Sequence, residues 1–305
     1  MSISSKKLIN QTLSTIYAQV KKDVINMIRS WYFISLLIIL ASLTLFAFHM
    51  ILTLYKNPSD YINFKLSLRS NLLQINYENM LGIVPPVFLL IPAIIISDDI
   101  ETKNFKLLKI ANFNTIGYVA GKFLSAVLLS TLLMMVYFYM IEIFLFINGY
   151  DVSSGFIIAP VIVSFAYLVP LLIPISFVFF LSSILPNKIF SVITAALLIP
   201  ISYLVTLPII GVRGTQNLSF LNQFIFSISM AYSNKFAYKI AGSSLYGINN
   251  GQPNLPLRNM IFISELSIIL FLILTITSIL LRKYYVNVFG MITFILEKSK
   301  SRSNK

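Results

Sequence analysis

The chain alternates long apolar runs with shorter charged connections. Runs at 31–54, 81–97, 123–147, 156–185, 189–210 and 259–281 contain few ionisable residues. About 20 apolar residues at 1.5 Å per residue are enough for a helix to cross the ~30 Å hydrocarbon core of a bilayer. The pattern therefore predicts an all-α membrane domain of six spans over residues 31–282. The first run is the plainest, with His49 as its single ionisable group. The second is short and contains Pro85, Pro86 and Pro92; proline is tolerated near a helix start, and Pro92 predicts a kink. The fourth carries Pro160, Pro170 and Pro174 and is longer than a span requires, so it is expected to be tilted, broken or partly interfacial. Pro200 and Pro208 fall in the fifth.

The connections have patterns of their own. In residues 1–30, Ile9, Leu13, Ile16, Val20 and Val24 recur at helical spacing among Lys6, Lys7, Lys21, Lys22 and Arg29, which predicts an amphipathic helix lying in the inner interface. Residues 55–80 open on the turn Asn57-Pro58-Ser59-Asp60 and continue as a helical stripe expected to cap the outer side. Within 211–258, the apolar-leaning stretch 218–231 reaches only about 21 Å as a helix, so a re-entrant or surface segment is expected there. Residues 283–305 form a basic tail, with 286–296 a second candidate interfacial helix.

Composition agrees with a polytopic membrane protein: 57% of residues are hydrophobic, 11% are charged, and the mean hydropathy is +0.86. The net charge of +13 lies in the connections, which argues against a nucleic-acid-binding surface. With the N-terminus inside, 16 Lys and Arg fall in inner segments and seven in outer ones, so both termini are expected in the cytoplasm. The absence of cysteine excludes disulfides, thiolate metal sites and cysteine nucleophiles. The N-terminal segment lacks a compact apolar core with a cleavage site, so the first span is expected to act as the targeting signal.

The most highly charged connection between two spans is Ser97 to Lys122. Taken as a helix from about Asp99, it places Ile100, Leu107, Leu108 and Ala111 on one face and Lys103, Lys106 and Lys109 on another. Asp98, Asp99 and Glu101 then stand at the positive end of its dipole. Asn114 is placed to cap the next helix, from Thr115. Gly117 to Lys122 superficially suggests a phosphate loop, but it is one residue short and ends in Phe123 where Ser or Thr is required. Gly117 and Gly121 fit better as a close helix contact of the small-x-x-x-small kind. The acids of this segment, flanked by lysines and without His or Cys, are a poor metal-ligand set.

This segment resembles the one that follows the second span in ABC-2-type permeases, the membrane subunits of one class of ATP-driven exporter. Their pattern, close to E-x-E-x-G-T-x-x-L-L-x-x-x-P-x-x-R-x5-G-K, finds Asp99 for the first acid, then Glu101, Leu107, Leu108, Gly121 and Lys122. Lys103, Asn104, Asn112 and Thr115 depart from it. The motif covers about 25 residues, and the span count and loop lengths extend the likeness over almost the whole chain. The resemblance implies a coupling helix whose contact with a separate ATPase subunit includes Asp99, Ile100, Glu101, Phe105, Leu107, Leu108, Gly121 and Lys122. It implies a permease dimer of two copies or paralogues in the cell membrane, with ATP and Mg held by the ATPase partner and no cofactor in this chain. The expected cargo is an amphipathic drug, peptide or lipid, and no enzymatic activity is expected of the chain itself.

Three ionisable residues lie within apolar runs, His49, Glu142 and Glu265, each five or six residues from the predicted outer end. Intramembrane charges suggest function, here an outer polar cluster that gates exit or couples protons or cations. The bland alternative is that each reaches the interface or bonds a neighbouring helix. Two other functions stay open: a proton- or ion-coupled carrier using Glu142 and Glu265, and a non-transporting membrane scaffold that recruits a cytoplasmic partner through the amphipathic segment.

Overall fold

The computed structural model describes residues 3–54, 84–101, 114–147, 158–198 with 201, and 257–284. Within them the protein is all-helical. In chain order the helices are α1 (Ile3–Ile28), α2 (Trp31–Leu54), α3 (Pro85–Glu101), α4 (Thr115–Ile147), α5 (Ile158–Ile184), α6 (Lys188–Leu198) and α7 (Leu257–Tyr284). The outer cap at 55–80, the coupling segment from 102 to 113, the stretch 218–231 and the tail from 285 lie outside the described residues.

Local chemistry fixes several helix ends. Asn114 Oδ1 accepts from the Gly117 amide at 3.2 Å, the cap expected for α4. Asn187 Oδ1 does the same for Phe190 at 3.0 Å and starts α6. At the far end of α5, the Arg282 guanidinium of α7 donates to the carbonyls of Ser183, Ile184 and Leu185 at 2.7, 2.6 and 2.8 Å. These are carbonyls that a helix terminus leaves without intrahelical partners. Pro92 lies inside α3 and cannot donate to the Phe88 carbonyl four residues back. Ser130 Oγ of α4 donates to that carbonyl instead, at 3.3 Å, so the helix passes the proline without a buried orphan acceptor.

Helix α4 is the centre of the bundle, packed against α1, α2, α3, α5 and α7, while α5 also packs on α3 and α7. Phe88, Tyr137, Phe138 and Tyr167 form a continuous aromatic chain through α3, α4 and α5, with centroid separations of 6.4, 5.5 and 5.8 Å. A second cluster joins Ile96, Tyr118, Val119, Phe179 and Ile279. Between α5 and α7, Phe177 and Phe180 pack on Phe271, and the hydroxyls of Ser183 and Ser278 bond to each other.

The outward faces are apolar as well: Ile34, Ile38 and Phe46 on α2, Leu124 and Leu128 on α4, and Ile269 and Ile273 on α7 are exposed. Such faces suit lipid, where helices satisfy their own backbone groups. Thr115–Phe144 and Glu265–Arg282 are each long and apolar enough to cross a membrane, and a third span arises if α1 and α2, bent by 62° where they join, count as one.

Helix α4 begins at Thr115, as the Asn114 cap predicts, and runs without a break through the expected span start at Phe123, so it takes Lys122 into its interior. One expected boundary moves. The sequence pattern opens a new helix near Asp99, whereas α3 runs unbroken through Asp98 and Asp99 to Glu101. These acids therefore lie within the described length of α3, where a helix start at Asp99 is expected from the sequence. Opposite charges meet them there.

Candidate functional site, a buried charge cluster

The cluster sits where α1, α3 and α4 meet. Lys122 is 2% exposed. Its ammonium lies 2.9 Å from Asp23 Oδ1 of α1, 2.8 Å from Asp99 Oδ2 of α3, and 2.9 Å from the Ile95 carbonyl. An ammonium has three protons, and three acceptors surround this one. Each acid is then held from a second side. Gln19 Nε2 donates to both oxygens of Asp23 at 2.9 Å. Asp99 receives the Tyr118 hydroxyl at 3.2 Å and the half-exposed Lys22 at 3.4 Å. Next to it, Lys188 at the start of α6 pairs with Asp98 at 2.6 Å and lies 3.8 Å from the centre of the Tyr32 ring.

The backbone of α1 must come close for this to form, and α4 makes room with glycine. A Cβ on Gly121 would stand 2.8 Å from Gln19 Cβ and 3.2 Å from the Ile16 carbonyl; one on Gly117 would stand 3.1 Å from Thr15 Cβ. Asn114 Nδ2 adds a bond to Thr12 Oγ1 at 2.9 Å. Thr12, Thr15, Gln19 and Asp23 thus climb α1 in step with Asn114, Gly117, Gly121 and Lys122 on α4, so the two helices run parallel. The small-x-x-x-small contact is present, and its glycines face a helix where a phosphate loop would face a ligand.

The cluster is formally neutral: Lys22 and Lys122 against Asp23 and Asp99. Burial pushes the Asp99 carboxyl up, but Lys122 and then Lys22 outweigh it and hold the group below the ordinary carboxylate range. Burial also pushes up Asp23; there it outweighs Lys122 and Gln19, and the Asp99 charge adds to it, so this carboxyl is raised. One lysine shared by two acids serves best the acid that has a second lysine.

Of the residues singled out by sequence, Asp99 and Lys122 are joined directly and Gly121 supports them. Ile100 is half-buried against the Ile96 cluster, and Glu101 is exposed. Phe105, Leu107 and Leu108 lie outside the described residues, as does the side chain of His49. Glu142 is buried and neither of its carboxylate oxygens has a hydrogen-bond partner among the described residues, whereas Glu265 is exposed. These two acids do not share an environment. No group of metal-ligating side chains occurs among the described residues.

Sequence reasoning missed Asp23, Gln19, Lys22, Tyr118 and Lys188. A signal existed for the first two: Gln19 and Asp23 interrupt the apolar stripe of Ile16, Val20, Val24 and Met27, the face an amphipathic helix buries. The sequence matches no protein-family model, and no similar curated protein is found.

What the arrangement can do is mechanical. A displacement of Asp99 acts through Lys122 on both α1 and α4. Removing one partner of a buried ion pair costs about 3–5 kcal/mol, so the three helices move together more readily than apart.

Proposed function

We propose that this chain is the transmembrane subunit of an ATP-driven exporter of the ABC-2 type. It works as a six-span bundle in the cell membrane with both termini in the cytoplasm, beside a second permease copy or paralogue and ATPase subunits that carry ATP and Mg. The cargo is an amphipathic drug, peptide or lipid. The observation that carries the reading is the Lys122 ammonium held between Asp23 of α1 and Asp99 at the end of α3. It gives the connection after Asp99, where the resemblance puts the coupling helix, a rigid attachment to the central helix α4 and to α1. A push on Ile100, Phe105, Leu107 and Leu108 then reaches the bundle as a whole-helix displacement.

The test is affinity purification of the full chain in mild detergent with identification of its partners and an ATPase assay. A co-purifying soluble ATPase, lost when Leu107 and Leu108 are both changed to Asp in a protein that still inserts, supports the proposal. Recovery of the chain alone, without ATPase activity, refutes it.

A second reading, the ion-coupled carrier, has one observation in its favour: the buried carboxylate of Glu142, without a hydrogen-bond partner among the described residues, since such a group favours binding a proton or a cation. It predicts substrate movement in proteoliposomes that contain this chain and no ATPase.

A further inference from the structure

Helix α1 turns its single acid inward. Asp23 is the one Asp or Glu in residues 1–30, and it is buried against Lys122. The outward face of α1 therefore carries cations without a counter-charge of its own. Lys21 and Arg29 are exposed, and no acid among the described residues pairs with either. Lys22 differs, because it reaches Asp99. The Arg29 amide still donates to the Ile25 carbonyl at 3.2 Å, so Arg29 keeps the helical register. Lys21, Ile25 and Arg29 then form one column at spacing i, i+4, i+8.

An apolar stripe runs beside that column. Leu13, Tyr17 and Ile28 are all exposed, Tyr17 by 70%, and at 3.6 residues per turn they fall within about 60° of one another on the helix circumference. Past the bend, Trp31, 78% exposed, leads into the exposed Ile34 and Ile38 of α2. The pairing of the two columns decides what covers them. An acidic protein segment would match the cations and leave the large apolar side chains wet, and a second copy of the same face would set cation against cation. A bilayer with anionic headgroups satisfies both columns at once. Depth agrees with this. Helix α4, with 33 residues, reaches about 50 Å at 1.5 Å per residue, enough to pass the ~30 Å hydrocarbon core and enter the headgroup layers. Helix α1 packs beside the first turns of α4, from Asn114 to Lys122, the end that holds the charge cluster. Exposed tryptophan settles at the same headgroup level.

We propose that the outward face of α1 docks on an anionic phospholipid surface, with Lys21 and Arg29 bonded to lipid phosphates and Leu13, Tyr17 and Ile28 inserted between the headgroups. The proposal rests on the membrane placement of the chain and is independent of ATP-driven export.

The test uses the full chain reconstituted in vesicles of phosphatidylcholine and phosphatidylglycerol in equal parts, with bromine on the acyl chains of one lipid or the other. Bromine quenches tryptophan fluorescence on contact. Trp31, the one tryptophan, reports the bend, and Tyr17→Trp in a Trp31→Phe background reports the middle of α1. Both positions are quenched, and brominated phosphatidylglycerol quenches as a lipid preferred roughly fivefold, the effect of one Lys or Arg at an anionic surface. The preference falls as salt is raised. Lys21→Gln with Arg29→Gln removes it and leaves quenching by phosphatidylcholine in place, whereas Lys21→Arg with Arg29→Lys keeps it. Equal quenching by the two lipids at either position, or a preference that survives the double Gln variant, overturns the proposal. Quenching at Trp31 with none at position 17 also overturns it, since the α1 face then lies in water or against protein. Absence of quenching at both positions overturns it together with the membrane placement on which it rests.

Discussion

Replacing Lys122 with Met keeps the length of the side chain and removes the charge, leaving Asp23 and Asp99 facing each other inside the protein. Both side chains are about 95% buried, at 6% and 5% exposure. Three contacts below 3 Å disappear together, and two carboxylates lose the cation they share. The expected loss is about 3–5 kcal/mol at pH 7 to 8, the usual cost of leaving a buried charge uncompensated. In the wild type the two acids respond to pH with opposite signs. The lowered Asp99 contributes stability that is present above the ordinary carboxylate range and lost as pH falls through its folded value. The raised Asp23 contributes stability that is present at low pH and lost as pH rises through its folded value. In Lys122→Met both carboxyls are raised, so the signs agree. The variant regains about 1.4 kcal/mol per pH unit for each carboxyl protonated in the fold but not in the unfolded chain, as pH falls from 8 toward 5. Reversible unfolding in mixed micelles, followed by the fluorescence of Trp31, the one tryptophan, measures this. The triple variant Asp23→Asn, Lys122→Met, Asp99→Asn is expected to recover more than half of the loss, because the bare charges are gone. A loss under about 1 kcal/mol, or a variant whose stability falls as the pH is lowered from 8 toward 5, would refute the reasoning.

Substitutions at three other contacts are read by the same unfolding measurement. Gly121→Ala forces α1 away from α4, since its Cβ would stand 2.8 Å from Gln19 Cβ; it is expected to cost about 1–3 kcal/mol, and more than Gly117→Ala, where the closest approach is 3.1 Å. Ser130→Ala takes the donor from the Phe88 carbonyl and costs about 1 kcal/mol. In a Pro92→Ala background, where residue 92 regains an amide proton, the same change costs less, and a double-mutant cycle measures the difference. Arg282→Met leaves the carbonyls of Ser183, Ile184 and Leu185 unpaired and costs roughly 2–4 kcal/mol. Arg282→Lys is intermediate, because an ammonium lacks the planar fork that spans neighbouring carbonyls.

The sequence alone determined what depends on local composition. Runs of apolar residues set where α2 and the longer helices lie, since such runs have no stable place in water. Asn114 marked the start of α4 through a bond to an amide three residues on, and Gly117 with Gly121 marked a close helix contact because no other residue lets a neighbouring backbone so near. Tertiary structure decided which charges meet. Lys122 looked like the end of an inner loop, since a lone lysine is costly inside a helix bundle; it is interior because Asp23, 99 residues earlier, and Asp99, 23 residues earlier, arrive from two other helices. The same cause misplaced the acids near Asp99. A dipole argument considers one helix, whereas the field at these carboxylates is set by lysines from α1, α4 and α6. The Phe88 carbonyl freed by Pro92 was foreseeable, but its rescue by Ser130, 42 residues on, was not. Charge interactions depend on distance in space, and distance along the chain carries that information only within a few turns of one helix.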